Sequence, residues 1–186
     1  DPLGGSQVVP YVLGLARAGY QMTLLTYEKA DKLAAQSRVD ALRAKLAAAS
    51  VEWLPQPYHS GLSVLTTTID LLLGGLAVSR RGKFDLLHAR SYPSALLAQQ
   101  LARLWRVPWV FDVRGFYPEE RVDGGIWPKD GALFKLTKRL ERSFDGHAAA
   151  IVTLTHASVP IIEKRVRAAR GKAQVHMIPT CVDLDR

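Results

Sequence analysis

Apolar and polar positions follow one another along this chain in blocks that predict strands and helices in turn. The clearest block runs from Lys83 to Glu120. It predicts a strand at Phe84 to Ala89, a helix at Tyr92 to Trp105 and a second strand at Val107 to Val113. Because two buried strands joined by a helical crossover cannot form a hairpin, we expect these strands to be parallel.

The alternation of strand and helix continues on both sides of this block. A first helix is capped by Ser6, and Gly115 to Asp130 is predicted as a long loop because it lacks periodicity. The other predicted strands are Gln21 to Thr26, Val51 to Leu54, Ala148 to Leu154 and Gln174 to Ile178, and the other predicted helices are Glu28 to Ser50, Leu62 to Ser79, Gly131 to Gly146 and Thr155 to Ala169. This order predicts an α/β fold with a doubly wound, mostly parallel Rossmann-like sheet and helices on both faces.

Polar residues gather at the carboxyl ends of the two strands in the Lys83 to Glu120 block. In an open parallel sheet, ligands bind at that edge. We therefore expect a ligand site built from His88, Arg90 and Ser91 after the first strand, and from Asp112, Arg114, Glu119 and Glu120 after the second.

The residues Gly4, Gly5 and Ser6 form a further candidate loop near the start of the chain. Glycines let backbone approach a ligand closely, and the N–H groups at a helix start favour an anion. A Gly-Gly pair is equally what a tight turn needs, and the residues alone leave both interpretations open. We expect this loop to share one rim with the polar residues that follow the two strands.

Composition narrows the class of partner without choosing one. The chain has 186 residues and 48% hydrophobic content, enough for one sizeable core, and one domain over residues 1–186 is predicted. A net charge of +8 favours anionic partners such as a nucleotide diphosphate or an anionic membrane surface. The predicted helix Gly131 to Gly146 carries a basic face that either contacts an anionic membrane or is simply exposed to solvent. Its residues are Lys135, Lys138, Arg139 and Arg142.

Several function classes lack their markers in this sequence. There is no GxxxxGK[ST] or GxGxxG phosphate motif, no GxSxG nucleophile motif and no HExxH metal motif. Scattered aromatic residues and the lack of a recognition motif argue against nucleic acid as a partner.

The single cysteine excludes an internal disulfide and suits a reducing, cytoplasmic setting. Asp70 interrupts the most apolar stretch, Leu62 to Val78, which is therefore predicted as a core helix, and His59 is predicted as a surface residue.

Four segments, taken in order, resemble the amino-terminal domain of GT-B fold glycosyltransferases, particularly the retaining family 4. They are GGSQVVPYVLGLARAGYQMTLLT, FDLLHARS, VPWVFDVRGFYPEE, and LERSFDGHAAAIVTLTHASVPIIEK followed by VHMIPTCVD. The sequence departs from the family pattern where Arg90 and Arg114 stand in place of histidines, and where Thr180 and Cys181 stand in place of Asn and Gly. The two arginines predict a more cationic cleft.

The resemblance implies an enzyme that transfers a sugar from a nucleotide diphosphate sugar, with retention at the anomeric carbon and no obligatory metal or other cofactor. The acceptor would be a glycan, a lipid-linked or a small molecule, and the candidate residues above would contact acceptor or sugar. Both ends look cut, so we expect a missing first strand and a missing carboxy-terminal domain that holds the nucleotide and an acidic pair. The chain alone would then be inactive, and the full-length protein would be cytoplasmic, with peripheral attachment to the inner membrane face. The alternatives are a non-catalytic α/β ligand-binding or sensor module and a sugar-phosphate epimerase.

Overall fold

A computed structural model describes residues 4–59 and 64–180. They fall into two compact units, one before Lys83 and one from Lys83 to Pro179. Two predicted segments lie partly outside the described residues. They are the glycine loop, at Asp1 to Leu3, and the PTCVD segment, at Cys181 to Asp183. Each unit contains parallel strands and helices.

The first unit is built around a parallel strand pair. It begins with a π-helical turn and continues through these elements: Gly4–Val8 (the turn), α1 Val9–Arg17, β1 Met22–Glu28, α2 Ala30–Ala34, α3 Gln36–Ala48, β2 Val51–Pro57 and α4 Val64–Ser79. Met22 lies opposite Val51 in the β1–β2 pair. The core beneath this pair contains Val12, Leu46 and Trp53.

Two predictions for this unit are wrong in detail. Ser6 does not cap a helix, because the π-helical turn runs directly into α1, whose cap position is Val8. The helix predicted from Glu28 to Ser50 is interrupted at Ala35, where ψ is 68°. In α3 only Leu46 is buried, so little packing enforces a continuous helix across the break.

The second unit contains a sheet of four parallel strands in the order β3-β4-β5-β6. Its elements are β3 Leu87–Arg90, α5 Tyr92–Trp105, β4 Trp109–Val113, α6 Tyr117–Asp123, α7 Ala132–His147, β5 Ala150–Thr153, α8 Ser158–Ala168 and β6 Gln174–Met177. The parallel pairing of the two pivotal strands is confirmed, with Leu87 opposite Trp109 and Arg90 opposite Asp112. The α/β fold with parallel strands is therefore confirmed, although the strand pairs of the described residues form two sheets, one in each unit.

An aromatic core fixes the helices of the second unit on its sheet. Phe111 of β4 and Phe144 of α7 are fully buried, with ring centroids 5.3 Å apart and planes at 70°. Tyr92 at the start of α5 meets Phe111 edge-on at 5.5 Å. Since edge-to-face contacts add to the burial of aromatic area, the start of α5 is held rigidly beside the end of β3.

The region predicted as a loop from Gly115 to Asp130 contains the short helix α6. Pro118 lies in its first turn, where the missing N–H costs little, and Glu119 and Glu120 favour the positive end of the helix dipole. The loop prediction is therefore wrong over Tyr117–Asp123, because the helix has little apolar periodicity and its start is marked only by the proline and the two glutamates.

Helix α4 is only partly a core helix. Asp70 and Val78 are buried, whereas Ile69, Leu72 and Leu76 are 41%, 62% and 54% exposed. None of the helices in the described part of the chain is both long enough and apolar enough to cross a membrane.

Candidate functional site

The carboxylate of Asp112 lies at the centre of the polar residues that follow β3 and β4. Its side chain is 9% exposed. The Nε2 atom of His88 lies 3.6 Å from one carboxylate oxygen, and Nη1 of Arg114 lies 3.4 Å from the other. The strand register that sets Arg90 opposite Asp112 therefore brings residues from both strand ends into one cluster.

Positive charge exceeds negative charge in this cluster. Burial lowers the pKa of Arg90, the positive charge of Arg114 lowers it further, and the negative charge of Asp112 acts in the opposite direction. A guanidinium nevertheless stays charged at physiological pH. The imidazole of His88 and the guanidinium groups of Arg114 and Arg90 all interact with the carboxylate of Asp112, and guanidinium groups suit a bound phosphate or another anion.

Ser91 joins β3 to α5 in a strained backbone conformation. Its φ is 71° and its ψ is 176°, a region that glycine adopts and other residues rarely do. Its N–H donates a hydrogen bond of 3.0 Å to the carbonyl oxygen of Asp112, which holds the strained residue against β4. Such strain collects at functional sites, and here it lies at the predicted ligand edge.

The two glutamates of α6 have different surroundings. A Cβ added at Gly115 would lie 2.0 Å from Oε1 of Glu120, so this carboxylate packs against the backbone that follows Arg114. Glu119 instead accepts a hydrogen bond of 2.8 Å from Nζ of Lys138. Glu120 is therefore placed beside the loop of the cluster, while Glu119 anchors α6 to α7.

A buried ionic network supports both walls of the site, and sequence analysis missed it. Glu141 is 3% exposed. It accepts a hydrogen bond of 2.6 Å from the hydroxyl of Tyr92, and Lys138 donates to its other oxygen as well as to Glu119. The residue that follows Ser91 and the helix that carries Glu119 are thus tied to the same carboxylate. The available signal was the spacing of Glu141 and Asp145, which places two acids on the helix face of Phe144.

The predicted glycine loop lies in the first unit, whereas the other seven candidate residues lie in the second. Gly4, Gly5 and Ser6 form the π-helical turn before α1. A Cβ added at Gly5 would meet no other atom within 4 Å, so internal packing does not require a glycine there. The proximity of this loop to the residues after β3 and β4 stays a prediction.

A second polar cluster, also missed by sequence analysis, lies in the first unit. The side chain of Asp70 is 7% exposed, and both of its oxygens meet His59. The available signal was an aspartate in the middle of an apolar helix.

Comparisons with known proteins agree on the fold. A structure of UGT73P12 from Glycyrrhiza uralensis in complex with glycyrrhetinic acid 3-O-monoglucuronide matches 89% of the chain with a TM-score of 0.54 and 13% identity. A structure of UGT89C1 from Arabidopsis thaliana in complex with UDP matches 95% with a TM-score of 0.50 and 13% identity. The chain spans 44% and 47% of these two proteins, so it has less than half their length. The fold is similar to that of GT-B glycosyltransferases.

Comparison by sequence gives the family. No curated protein matches the chain closely enough to count as a relative. The family described as "Glycosyl transferase 4-like domain" matches residues 4–181, which include all ten candidate site residues. The chain therefore belongs to the glycosyl transferase 4-like domain family.

Proposed function

We propose that this chain is the acceptor-side domain of a retaining glycosyltransferase that uses a nucleotide diphosphate sugar. The family supports a glycosyltransferase. The observation that carries the finer assignment is the cluster around Asp112, where Arg90 and Arg114 place two guanidinium groups beside His88 at the predicted ligand edge.

Charge is what the proposed reaction requires. As the bond between the anomeric carbon and the diphosphate breaks, the electron pair leaves with the diphosphate, while the acceptor oxygen bonds to the same carbon and gives its proton to the departing diphosphate. Positive groups fixed near the departing oxygens stabilise that charge. In our proposal, Arg114 and Arg90 contact the sugar or its phosphate, Asp112 orients them, and Glu120 contacts an acceptor hydroxyl.

The chain covers less than half of the two matched structures, which supports a second domain for the nucleotide. We assign the remaining catalytic groups to that domain, so the chain alone binds ligand without turnover. We also propose that the reaction needs no obligatory metal, and a chelator tests this because activity should persist in its presence.

Turnover by the complete protein, including any second domain, tests the function. The protein is incubated with UDP-sugars and GDP-sugars and a membrane lipid extract as the acceptor source, and release of nucleoside diphosphate is measured. We expect sugar transfer to a lipid or glycan acceptor, with the anomeric configuration of the product read by NMR. Inversion would contradict the retaining mechanism, and saturable binding of nucleotide sugar without any transfer would favour a non-catalytic module.

Arg114→Ala tests the residue assignment. We expect kcat/KM to fall by about 100-fold or more, the usual loss for one transition-state donor, with little change in melting temperature. Arg103→Ala is the matched control, because Arg103 is an exposed arginine on α5 of the same unit. Parallel losses of stability and activity in Arg114→Ala would show that Arg114 serves the fold instead.

A further inference from the structure

His59 contacts Asp70 through both its backbone and its ring, although the backbone contact alone would hold the segment after β2 against α4. The backbone N–H of His59 donates to Oδ2 of Asp70 at 3.1 Å, which is enough to pin the segment after β2 to α4. The ring atom Nδ1 of His59 is also hydrogen-bonded to Oδ1 of the same carboxylate. This second bond fixes the orientation of the imidazole, which is not needed to hold the segment in place.

Both oxygens of Asp70 are hydrogen-bonded to His59. Tyr27 of β1 lies next to this carboxylate, but its hydroxyl is buried with no hydrogen-bond partner among the described residues. Burial, and then the negative charge of Asp70, raise the pKa of Tyr27 to about 12, so the phenol stays neutral. The same hydroxyl lies against the backbone of Gly74, where an added Cβ would approach it to 2.0 Å.

The geometry fixes which ring nitrogen faces outward. A neutral imidazole has one donor and one acceptor nitrogen, and carboxylate oxygens only accept. In the neutral ring, Nδ1 of His59 is therefore the donor to Asp70, and Nε2 is the acceptor. The side chain of His59 is 50% exposed although Asp70 is 7% exposed, so the nitrogen opposite the buried contact belongs to the accessible part of the ring.

The position of this ring fits a ligand contact. β2 ends at Pro57 and β1 ends at Glu28, so His59 follows the carboxyl edge of the β1–β2 pair. Ligands of parallel sheets bind beyond that edge. The two hydrogen bonds from His59 offset the cost of burying the Asp70 carboxylate, and a ring held in one orientation lowers the entropy cost of binding a ligand.

We propose that His59, oriented by Asp70, is a ligand-binding residue that accepts a hydrogen bond from a hydroxyl group of a polyhydroxylated ligand. That this ligand is the sugar acceptor rests on the function proposed above, whereas the orientation of the ring does not. His59 is thus a binding residue outside the Asp112 cluster, and Asp70 is its positioning residue.

The test combines a tautomer measurement with a titration on this chain. Long-range ¹H–¹⁵N spectra, recorded at a pH where the imidazole is neutral, should show the proton of His59 on Nδ1. His147 provides an internal reference, since its Nδ1 lies 2.8 Å from the carbonyl oxygen of Ser143. Titration with N-acetylglucosamine and with methyl glucoside should shift the Nε2 resonance of His59, while inorganic phosphate should not.

Two variants separate binding from folding. His59→Phe should weaken monosaccharide binding about threefold to tenfold, the value of one hydrogen bond, with a small change in melting temperature. Asp70→Asn should keep the fold and shift His59 toward the Nε2-protonated tautomer. His156→Phe, at an exposed histidine of the second unit, is the control and should leave binding unchanged.

Different results would contradict the His59 assignment and the proposed function. A neutral ring protonated on Nε2 in the wild-type chain, a response to phosphate alone, or no response to either sugar would each overturn the assignment. If the complete protein transfers no sugar but His59 still responds to monosaccharides, the proposed function falls and the binding role stands. If transfer occurs and His59 is silent, this inference falls alone.

Discussion

Ser91 is a residue whose conformation favours glycine, although the sequence has serine there. Its φ of 71° with ψ of 176° costs about 1–3 kcal/mol for a residue with a side chain. We expect Ser91→Gly to raise the free energy of unfolding by about 1 kcal/mol, because relief of strain exceeds the extra chain entropy of glycine. Chemical denaturation measures this change.

The control for Ser91 is an alanine. Ser91→Ala keeps the Cβ that causes the strain, so the free energy of unfolding should not rise. If serine at this position serves ligand binding, the glycine variant gains stability while losing affinity. A glycine variant that is less stable than the wild-type chain would show that the backbone is not strained.

Tyr27 carries a prediction about pH at the same scale. Its pKa is raised from 10.0 to about 12 by burial and by the charge of Asp70. The unfolded chain releases this proton near pH 10 and the folded chain near pH 12, so its share of stability is present below pH 10 and lost as pH rises through 12. The loss should be about 1 kcal/mol, since partial solvent exposure screens the effect.

Tyr27→Phe is the variant that tests this titration. At neutral pH it should cost under about 0.5 kcal/mol, because the hydroxyl has no hydrogen-bond partner to lose among residues 4–59 and 64–180. Between pH 10 and 12 the variant should lose less stability than the wild-type chain. Identical alkaline denaturation of the two proteins would contradict the raised pKa.

At the scale of whole elements, α7 and α8 are joined by a buried arginine. Arg165 donates from Nε to Asp145 at 2.9 Å and from Nη2 to the other oxygen at 3.0 Å, and its Nη1 lies 3.2 Å from Glu141. Burial alone would lower the pKa of Arg165, but its hydrogen bonds and the charges of Asp145 and Glu141 outweigh burial and raise it. Burial raises the pKa of Asp145, and Arg165 offsets part of that rise.

Arg165→Met should destabilise the chain by about 3–5 kcal/mol, because it leaves the buried carboxylate of Asp145 without its cation and removes one of the two cations beside Glu141. Arg167→Met is the matched control on the same helix. Arg167 is 70% exposed and lies 3.8 Å from Glu163, so its removal should cost under about 0.5 kcal/mol. Thermal and urea unfolding of both variants give the comparison, and similar losses in the two would show that the network contributes little.

The elements differ in how far the sequence predicts them. The pairing of β3 with β4 follows from two short apolar runs around an amphipathic helix, and their carboxyl ends brought His88, Asp112 and Arg114 together as expected. Periodicity could not predict the networks around Glu141 and Asp70. A charged residue at an inward position looks like a break in the pattern until the partner from another element is known.

For helix α4, the sequence predicts more burial than the structure shows. Its leucines predict a buried element, yet the face with Ile69, Leu72 and Leu76 is exposed, while Asp70 faces inward to meet His59. Composition cannot tell which face of an apolar helix is buried. Here the polar contact of Asp70 and the close approach of Gly74 to Tyr27 determine the face that packs on β1 and β2.

At the scale of the whole molecule, the net charge of +8 favours each of the proposed anionic partners. A nucleotide diphosphate and an anionic lipid surface both benefit from it, but at different places. The cluster around Asp112 is partly buried and suits a small anion. The basic face of α7 is exposed and suits an extended surface.

Membrane attachment depends on which cations of α7 are available. Lys138 is directed to Glu119 and Glu141, and this contact removes it from the predicted basic face. Lys135, Arg139 and Arg142 are exposed, and Leu133 and Leu136 of the same helix are 43% and 45% exposed. A helix that exposes both cations and leucines is typical of one that lies at a lipid surface.

We therefore expect the chain to sediment with vesicles that contain phosphatidylglycerol and not with pure phosphatidylcholine. Each basic residue near an anionic surface contributes about 1 kcal/mol, so replacing Lys135, Arg139 and Arg142 with Gln should weaken binding about 100-fold. The control replaces three exposed cations of the first unit, Lys29, Arg38 and Lys45, and lowers the net charge equally. A local patch predicts that only the α7 variant dissociates, whereas equal losses would indicate attraction by net charge, and binding that is insensitive to anionic lipid would exclude an electrostatic attachment.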